Sequence, residues 1–443
     1  MDSTVFTASS PYVVGEPPSI DRLEKTHANT VFNNQRLGVR SQTSGMHLRT
    51  HPDFDTWASK VMLVRADEVV FDDGYRLATG LDRLVADITA SGTGGIDTGS
   101  EAASTWYEVY VIRKSSDGTL SMLLHRAKDH TADTAFTTSP DATRQLRLAT
   151  GTATDKLAQG IQFANAKPFV YTHVQLIRNN GVAGTVWFTL ESDSGGSPSG
   201  TVLATSDKIN ANNISTSQQV LQVVFRTPYT VAASTQYHLV MHGDYTKSDT
   251  VYIGWRGLVA GGYSNGSAKE YNGSVWSAAS GVGDFYFSAH LEFNNAAVVM
   301  PGAYDQKCLV GHAYNDSSSD FIAFNALDRC VFYQRRTLSI GSVGATNNLA
   351  LFGLSARLPN RPVMAQVGFG TSAEAGTGTE MQVLSLSGFF AAQQFFLPIG
   401  IGAAAGASTT YDMVTAKVFV EYQALYFAPG GRAGAFNVLG FEW

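Results

Sequence analysis

Charge is scarce in this chain. Charged residues make up 15% of 443, against roughly 25% in an average globular protein. The net charge is -6, and no basic run exceeds Arg335-Arg336. A sequence-independent grip on nucleic acid needs clustered lysine and arginine, so no nucleic-acid partner is expected. Cysteine is nearly absent, with Cys308 and Cys330 alone. One pair builds neither a disulfide framework nor a four-thiolate zinc site, and both read as buried thiols. No apolar stretch reaches the ~18 residues that span a bilayer. The most apolar region, Phe389 to Ala405, is broken by Gln393, Gln394, Pro398 and glycines. The opening Met1-Asp-Ser-Thr-Val-Phe6 has no positive flank or apolar core, so neither a secretory signal nor membrane insertion is expected. Fixed-period repeats are also missing, which argues against a β-helix or a propeller.

What is abundant is glycine, at 43 residues, together with serine and threonine. That composition suits an all-β protein with many tight turns. It also suits subunits that bury much of their surface in neighbours. Residues 1–50 are polar and weakly patterned, with a short helix expected at Pro17-Pro-Ser-Ile-Asp-Arg-Leu-Glu24. They read as an arm that folds against a partner. Beyond them the pattern is β. Val61-Met-Leu-Val64, Val69-Val-Phe71, Leu84–Thr89, Trp106–Arg113 and Leu120–Leu124 are predicted strands, with turns at Asp72-Asp-Gly74 and Asp117-Gly118. Val414 to Tyr426 alternates cleanly and predicts one long strand with a buried face and a wet face.

Residues 156–293 read as a complete β-sandwich. Its strands include Val174–Ile177, Gly184–Leu190, Gln219–Phe225, Gln236–Met241 and Val251–Gly254. Tyr271-Asn-Gly-Ser-Val-Trp276 is a hairpin around an Asn-Gly turn. An inserted unit needs adjacent ends, and pairing of its first and last strands would supply that.

Asp67-Glu-Val-Val-Phe71, Ala86-Asp-Ile-Thr-Ala90 and Gly94-Gly-Ile-Asp-Thr-Gly-Ser-Glu-Ala-Ala-Ser-Thr-Trp-Tyr107 resemble a recurring segment of tailed-bacteriophage virion proteins. The expected continuation of that segment sits far downstream, at Pro301-Gly-Ala-Tyr304 and Leu309–Asp316. The displacement predicts four regions: an arm (1–50), a first host part (51–147), an inserted sandwich (148–294) and a second host part (295–443). The insert itself resembles jelly-roll-like sandwiches of surface and adhesion proteins, through Leu190–Ala204, Thr227–Val231 and Tyr237–Val240. The fold expected is thus all-β, with a jelly-roll-like sandwich spliced into a discontinuous host domain. The resemblance implies a non-enzymatic virion component, assembled in the host cytoplasm. A tail fibre or appendage comes first, a head fibre or capsid decoration second, and a polysaccharide-degrading enzyme third. It also implies docking to other virion proteins through the arm and host domain, and a homo-oligomer, although no coiled-coil heptad is present.

Catalytic motifs are weak, and neither a cofactor nor a metal is expected. Gly262-Tyr-Ser-Asn-Gly266 matches the serine-hydrolase string, but no helix pattern follows to make the required elbow. His238 and His242 share a strand face without a third ligand, and Asn315, Asp316 and Asp320 fit no EF-hand spacing. Asp53/Asp55 and Asp72/Asp73 are carboxylate pairs that read as surface turns. The aromatics of the insert say more, because flat rings pack on sugar faces as well as in cores. Trp255, Tyr263, Tyr271 and Trp276 lie next to predicted loops and are the candidate contacts for a host-surface glycan or protein.

Overall fold

A computed structural model describes residues 42–371 except 45, 51–57, 78–80, 147–153, 180, 295, 323, 328–329, 334–338, 344–349 and 355–357. It also describes 379–385, 395–399, 413–428 and 434–442. Most of the arm, its expected helix, and Asp53 and Asp55 lie outside the described residues. Among the described residues the fold is all-β, and its strands pair antiparallel.

Two large cores divide it. One draws on Met46 to Ala127 and again on Cys308 to Phe441. The seam is one long ladder. The strand Gln306–Asn315 pairs with Thr105–Arg113 from Gln306↔Arg113 to Asn315↔Thr105. Segments nearly 200 positions apart in sequence are therefore neighbours in one sheet. The Gly-Ile-Asp-Thr-Gly segment reinforces this seam. The Asp97 carboxylate accepts from His125 Nδ1 at 2.7 Å and from the Val299 amide at 3.0 Å. Burial opposes its ionisation, but the His125 and Val299 bonds outweigh that and hold it below the usual carboxylate range.

The second core runs from Phe136 to Leu291, takes in Ala424 and Tyr426 from far downstream, and fills a sandwich of two seven-stranded sheets. One sheet contains Asp129–Phe136, Phe287–Phe293, Pro168–Arg178, Ile253–Leu258 and Ala142–Leu146, with Gln219–Thr230 on the free edge of Pro168–Arg178. The other runs Pro198–Thr205, Thr185–Asp193, Gln236–Gly243, Lys156–Gln162, Ala268–Tyr271, Trp276–Ala278. Two expectations need correction here. Lys156–Gln162 does not pair with the last strand; it sits between Gln236–Gly243 and Ala268–Tyr271. The closing pair is Asp129–Phe136 with Phe287–Phe293, from Asp129↔Phe293 to Phe136↔Phe287. Residues 129–146, expected in the first host part, thus hydrogen-bond into the sandwich. Their sequence is polar because Asp129–Phe136 is an edge strand with little burial.

A third correction falls on the expected strand Val414 to Tyr426. It is two strands, Met413–Val420 and Ala424–Ala428, in different sheets. Tyr422 and Gln423 break it with positive φ values of 51° and 53°. Gln423 is buried and donates to the Leu358 carbonyl, which helps fix the turn. Tyr422 points at the sandwich and stacks on His130, with ring centroids 5.7 Å apart. The Tyr426 hydroxyl accepts the Gln222 amide at 2.9 Å, capping a free edge of Gln219–Thr230. The first sheet of the sandwich therefore faces the other core. The outer face of the second sheet is turned away from it.

Candidate functional site

The four aromatic candidates part company. Trp255 is fully buried. Its strand is flanked on both sides by Pro168–Arg178 and Ala142–Leu146, and its indole stacks on Phe285 at 4.5 Å and meets Phe188 edge-on. Nε1 donates to the Tyr286 carbonyl. Trp255 is a core residue, and its candidacy as a contact is corrected. Trp255→Ala is expected to cost about 3–5 kcal/mol of stability, measured by urea unfolding. Tyr263 is also structural. Its ring packs edge-on against Phe287, and its hydroxyl bonds Thr134 and the Gln162 amide.

Tyr271 and Trp276 remain at the surface, both partly exposed. They face each other across the hairpin, ring centroids 5.1 Å apart. The hairpin forms because the Asn272 side chain accepts the Ser274 and Val275 amides and Gly273 takes φ +94°. Register extends this pair into a row. Tyr271 is opposite Lys156, and Trp276 is opposite Tyr271. On the far side Trp187 is opposite His242, one residue beyond the Leu157↔Met241 pair. Trp187, His242, Lys156, Tyr271 and Trp276 thus lie side by side on five adjacent strands. Four strand spacings of about 4.8 Å give the row a length of about 19 Å. Alternation places it outward, because Val186, Phe188, Leu190, Leu157, Leu239 and Met241 fill the core.

The row is stiff. Trp187 and His242 stack with ring planes 8° apart and centroids at 5.3 Å. His242 Nε2 bonds Thr189 Oγ1 at 2.8 Å. Burial, aided by the charges of Lys156 and Lys247, pushes the His242 imidazole down to about 4, so it is a neutral plate at pH 7. Lys208 Nζ lies 4.6 Å from the Trp187 ring centroid and Lys156 Nζ 5.4 Å from that of Tyr271. Beside the row, buried Glu191 accepts from Thr189 Oγ1 and the Gly200 amide, and His238 bonds Asp193 at 2.7 Å. These bonds hold the strand and its neighbouring loop.

Other sequence candidates are placed as follows. Ser264 is exposed in a loop, with its hydroxyl near Asn265. Gly262 and Tyr263 donate their amides to buried Asp284, and Gly266 passes so close to Gly160 that a Cβ would collide. The glycines of that string serve the packing of this loop. Asp316 accepts the Ser318 and Asp320 amides, and Asp72 and Asp73 bond Lys307 and Gln306 across the seam. Among the described residues no group of three His, Cys, Asp or Glu is arranged to hold a metal, and no helix is long and apolar enough to cross a membrane.

Trp187 and Lys156 were not among the candidate contacts expected from sequence, and His242 was weighed there only as a metal ligand. One signal was available: in Thr185-Val-Trp-Phe-Thr-Leu190, Trp187 alternates with the threonines, on the face opposite Val186, Phe188 and Leu190. No protein-family model matches this chain, and no curated protein matches it either.

Proposed function

We propose that this chain is a non-enzymatic structural component of a tailed-phage virion, a tail fibre or appendage. Its 129–293 sandwich presents a binding face to glycans of the host surface. The observation that carries the binding function is the outward row Trp187–His242–Lys156–Tyr271–Trp276. A stiff line of flat rings on a sheet suits the apolar faces of successive sugars, while adjacent amides and hydroxyls suit their edges. The opposite sheet is covered by Tyr422 and Tyr426, which pack into the sandwich core while Leu425 between them joins the other core, and this leaves the aromatic face free to point away from an attachment. The particle assignment rests on the resemblance of residues 67–107 and 301–316 to virion proteins.

The test is binding of the whole chain to arrayed bacterial surface polysaccharides. Trp187→Ala, Tyr271→Ala and Trp276→Ala together are expected to weaken binding at least about 30-fold, the cost of losing anchor residues worth ~2 kcal/mol or more. Undiminished binding by this variant, or no binding by the wild-type chain, contradicts the reading.

A further inference from the structure

We propose that the glycan bound by this face is acidic, carrying the carboxylates of uronic-type sugars. The inference rests on the binding function proposed above and adds its charge. Three lysines stand on or beside the aromatic row: Lys156, Lys208 and Lys269. Lys156 faces Tyr271, and Lys269 is two residues before Tyr271 on the same face, opposite Ala158. That makes Lys156 and Lys269 diagonal neighbours, about 7–8 Å apart at the backbone.

The acids around them are already engaged. Asp155 pairs with Lys247 at 2.8 Å. Asp193 holds His238 and the Gly196 amide. Glu191 holds Thr189 and Gly200, and Asp244 holds the amide and hydroxyl of Thr185 as well as Lys208. Among the described residues no carboxylate lies within ion-pairing distance of Lys156 or Lys269. The chain carries a net charge of -6. On this chain Lys156 and Lys269 set two ammonium groups beside the Tyr271 ring without a carboxylate of the described residues in direct contact.

The geometry favours a carboxylate on a sugar ring. A hexuronate keeps its ring faces apolar and carries its charge at the rim. One face would lie on Tyr271 or Trp276 while the rim carboxylate reaches Lys156 or Lys269. A neutral sugar would satisfy the rings and leave both ammonium groups unanswered.

The experiment is affinity electrophoresis of the full chain through gels containing polygalacturonate, hyaluronan, dextran sulfate or neutral dextran. Polygalacturonate or hyaluronan is expected to retard the wild-type chain, and more strongly at low salt. Lys156→Gln with Lys269→Gln is expected to weaken that retardation about tenfold and to flatten its salt dependence. Near-UV circular dichroism should be unchanged, since both side chains lie on the surface. The ring variant should lose retardation as well. Retardation by dextran equal to that by the polyuronates, lost in the ring variant and kept in the lysine variant, overturns the acidic assignment and leaves the ring face standing. Retardation by dextran sulfate alone overturns the carboxylate. No retardation by any of the four overturns the inference.

Discussion

Acidification from pH 7 to pH 4.5 is expected to destabilise the folded chain by several kcal/mol. The cause is buried imidazole. His290 stacks on Tyr171 at 4.4 Å, beside His173, on the sheet that faces Tyr422. Burial, then the neighbouring His173 and His130, pushes His290 down to about 3. His312, in the other core, is pushed down to about 3 by burial and by Arg361. Burial also lowers His130 and His173, against the pull of Glu292 on the first and of the Gln222 side chain on the second.

A group whose folded value is depressed costs nothing while the unfolded imidazole is also neutral. Once the pH drops below about 6.5 the unfolded chain gains a proton that the folded chain refuses. The loss continues until the folded value near 3 is reached, at about 1.4 kcal/mol per pH unit for each group. His290 and His312 would each lose roughly 2–3 kcal/mol between pH 6.5 and 4.5, a large share of the 5–15 kcal/mol typical of a folded domain. Thermal unfolding followed by circular dichroism across that range checks this. His290→Phe, which keeps a ring on Tyr171, should flatten the slope. A midpoint unchanged from pH 7 to 4.5 would show that these imidazoles do not titrate differently on folding.

The second large effect concerns where the sandwich begins. A fragment of residues 128–294 is expected to fold and unfold cooperatively, while one of residues 148–294 is expected to aggregate. The shorter fragment loses Asp129–Phe136, which closes Phe287–Phe293, and Ala142–Leu146, which covers Ile253–Leu258. It also loses Phe136 from the core, the Asp133 bonds to Ala164 and Asn165, and the Arg144–Glu270 pair. Two strand edges would then be bare, and bare edges pair with other chains. Size-exclusion chromatography and thermal melts of the two fragments distinguish these outcomes. A 148–294 fragment that melts like the longer one would place the boundary where the sequence alone suggested.

The contrast shows what sequence carries. Strands rich in branched and aromatic residues, such as Thr105–Arg113 and Thr185–Asp193, are legible because such side chains suit a pleated, buried surface. The strand around Leu309–Tyr314 is legible in the same way, though its pairing with Thr105–Arg113 is set by register far along the chain. Asp129–Phe136 is not, because the side chains of this edge strand that meet the fold, His130 and Phe136, stand among polar and small residues that give no apolar period. The break at Tyr422–Gln423 is hidden because neither residue type announces a positive φ. The site was half legible. Tyr271 and Trp276 flank a turn that names itself. Trp255 looks identical in sequence, and only the strands on both of its sides bury it. Trp187 and His242 join Tyr271 through register among strands far apart in the chain, which no local pattern encodes.

The most direct test of the binding face is an indole N–H spectrum of the full chain, which has six tryptophans. It would be titrated with the polysaccharide fragment that binds best in the array. The resonances of Trp187 and Trp276 should shift with saturation, while those of buried Trp255 and Trp106 stay fixed. A titration that reaches saturation with Trp187 and Trp276 unmoved would contradict the account.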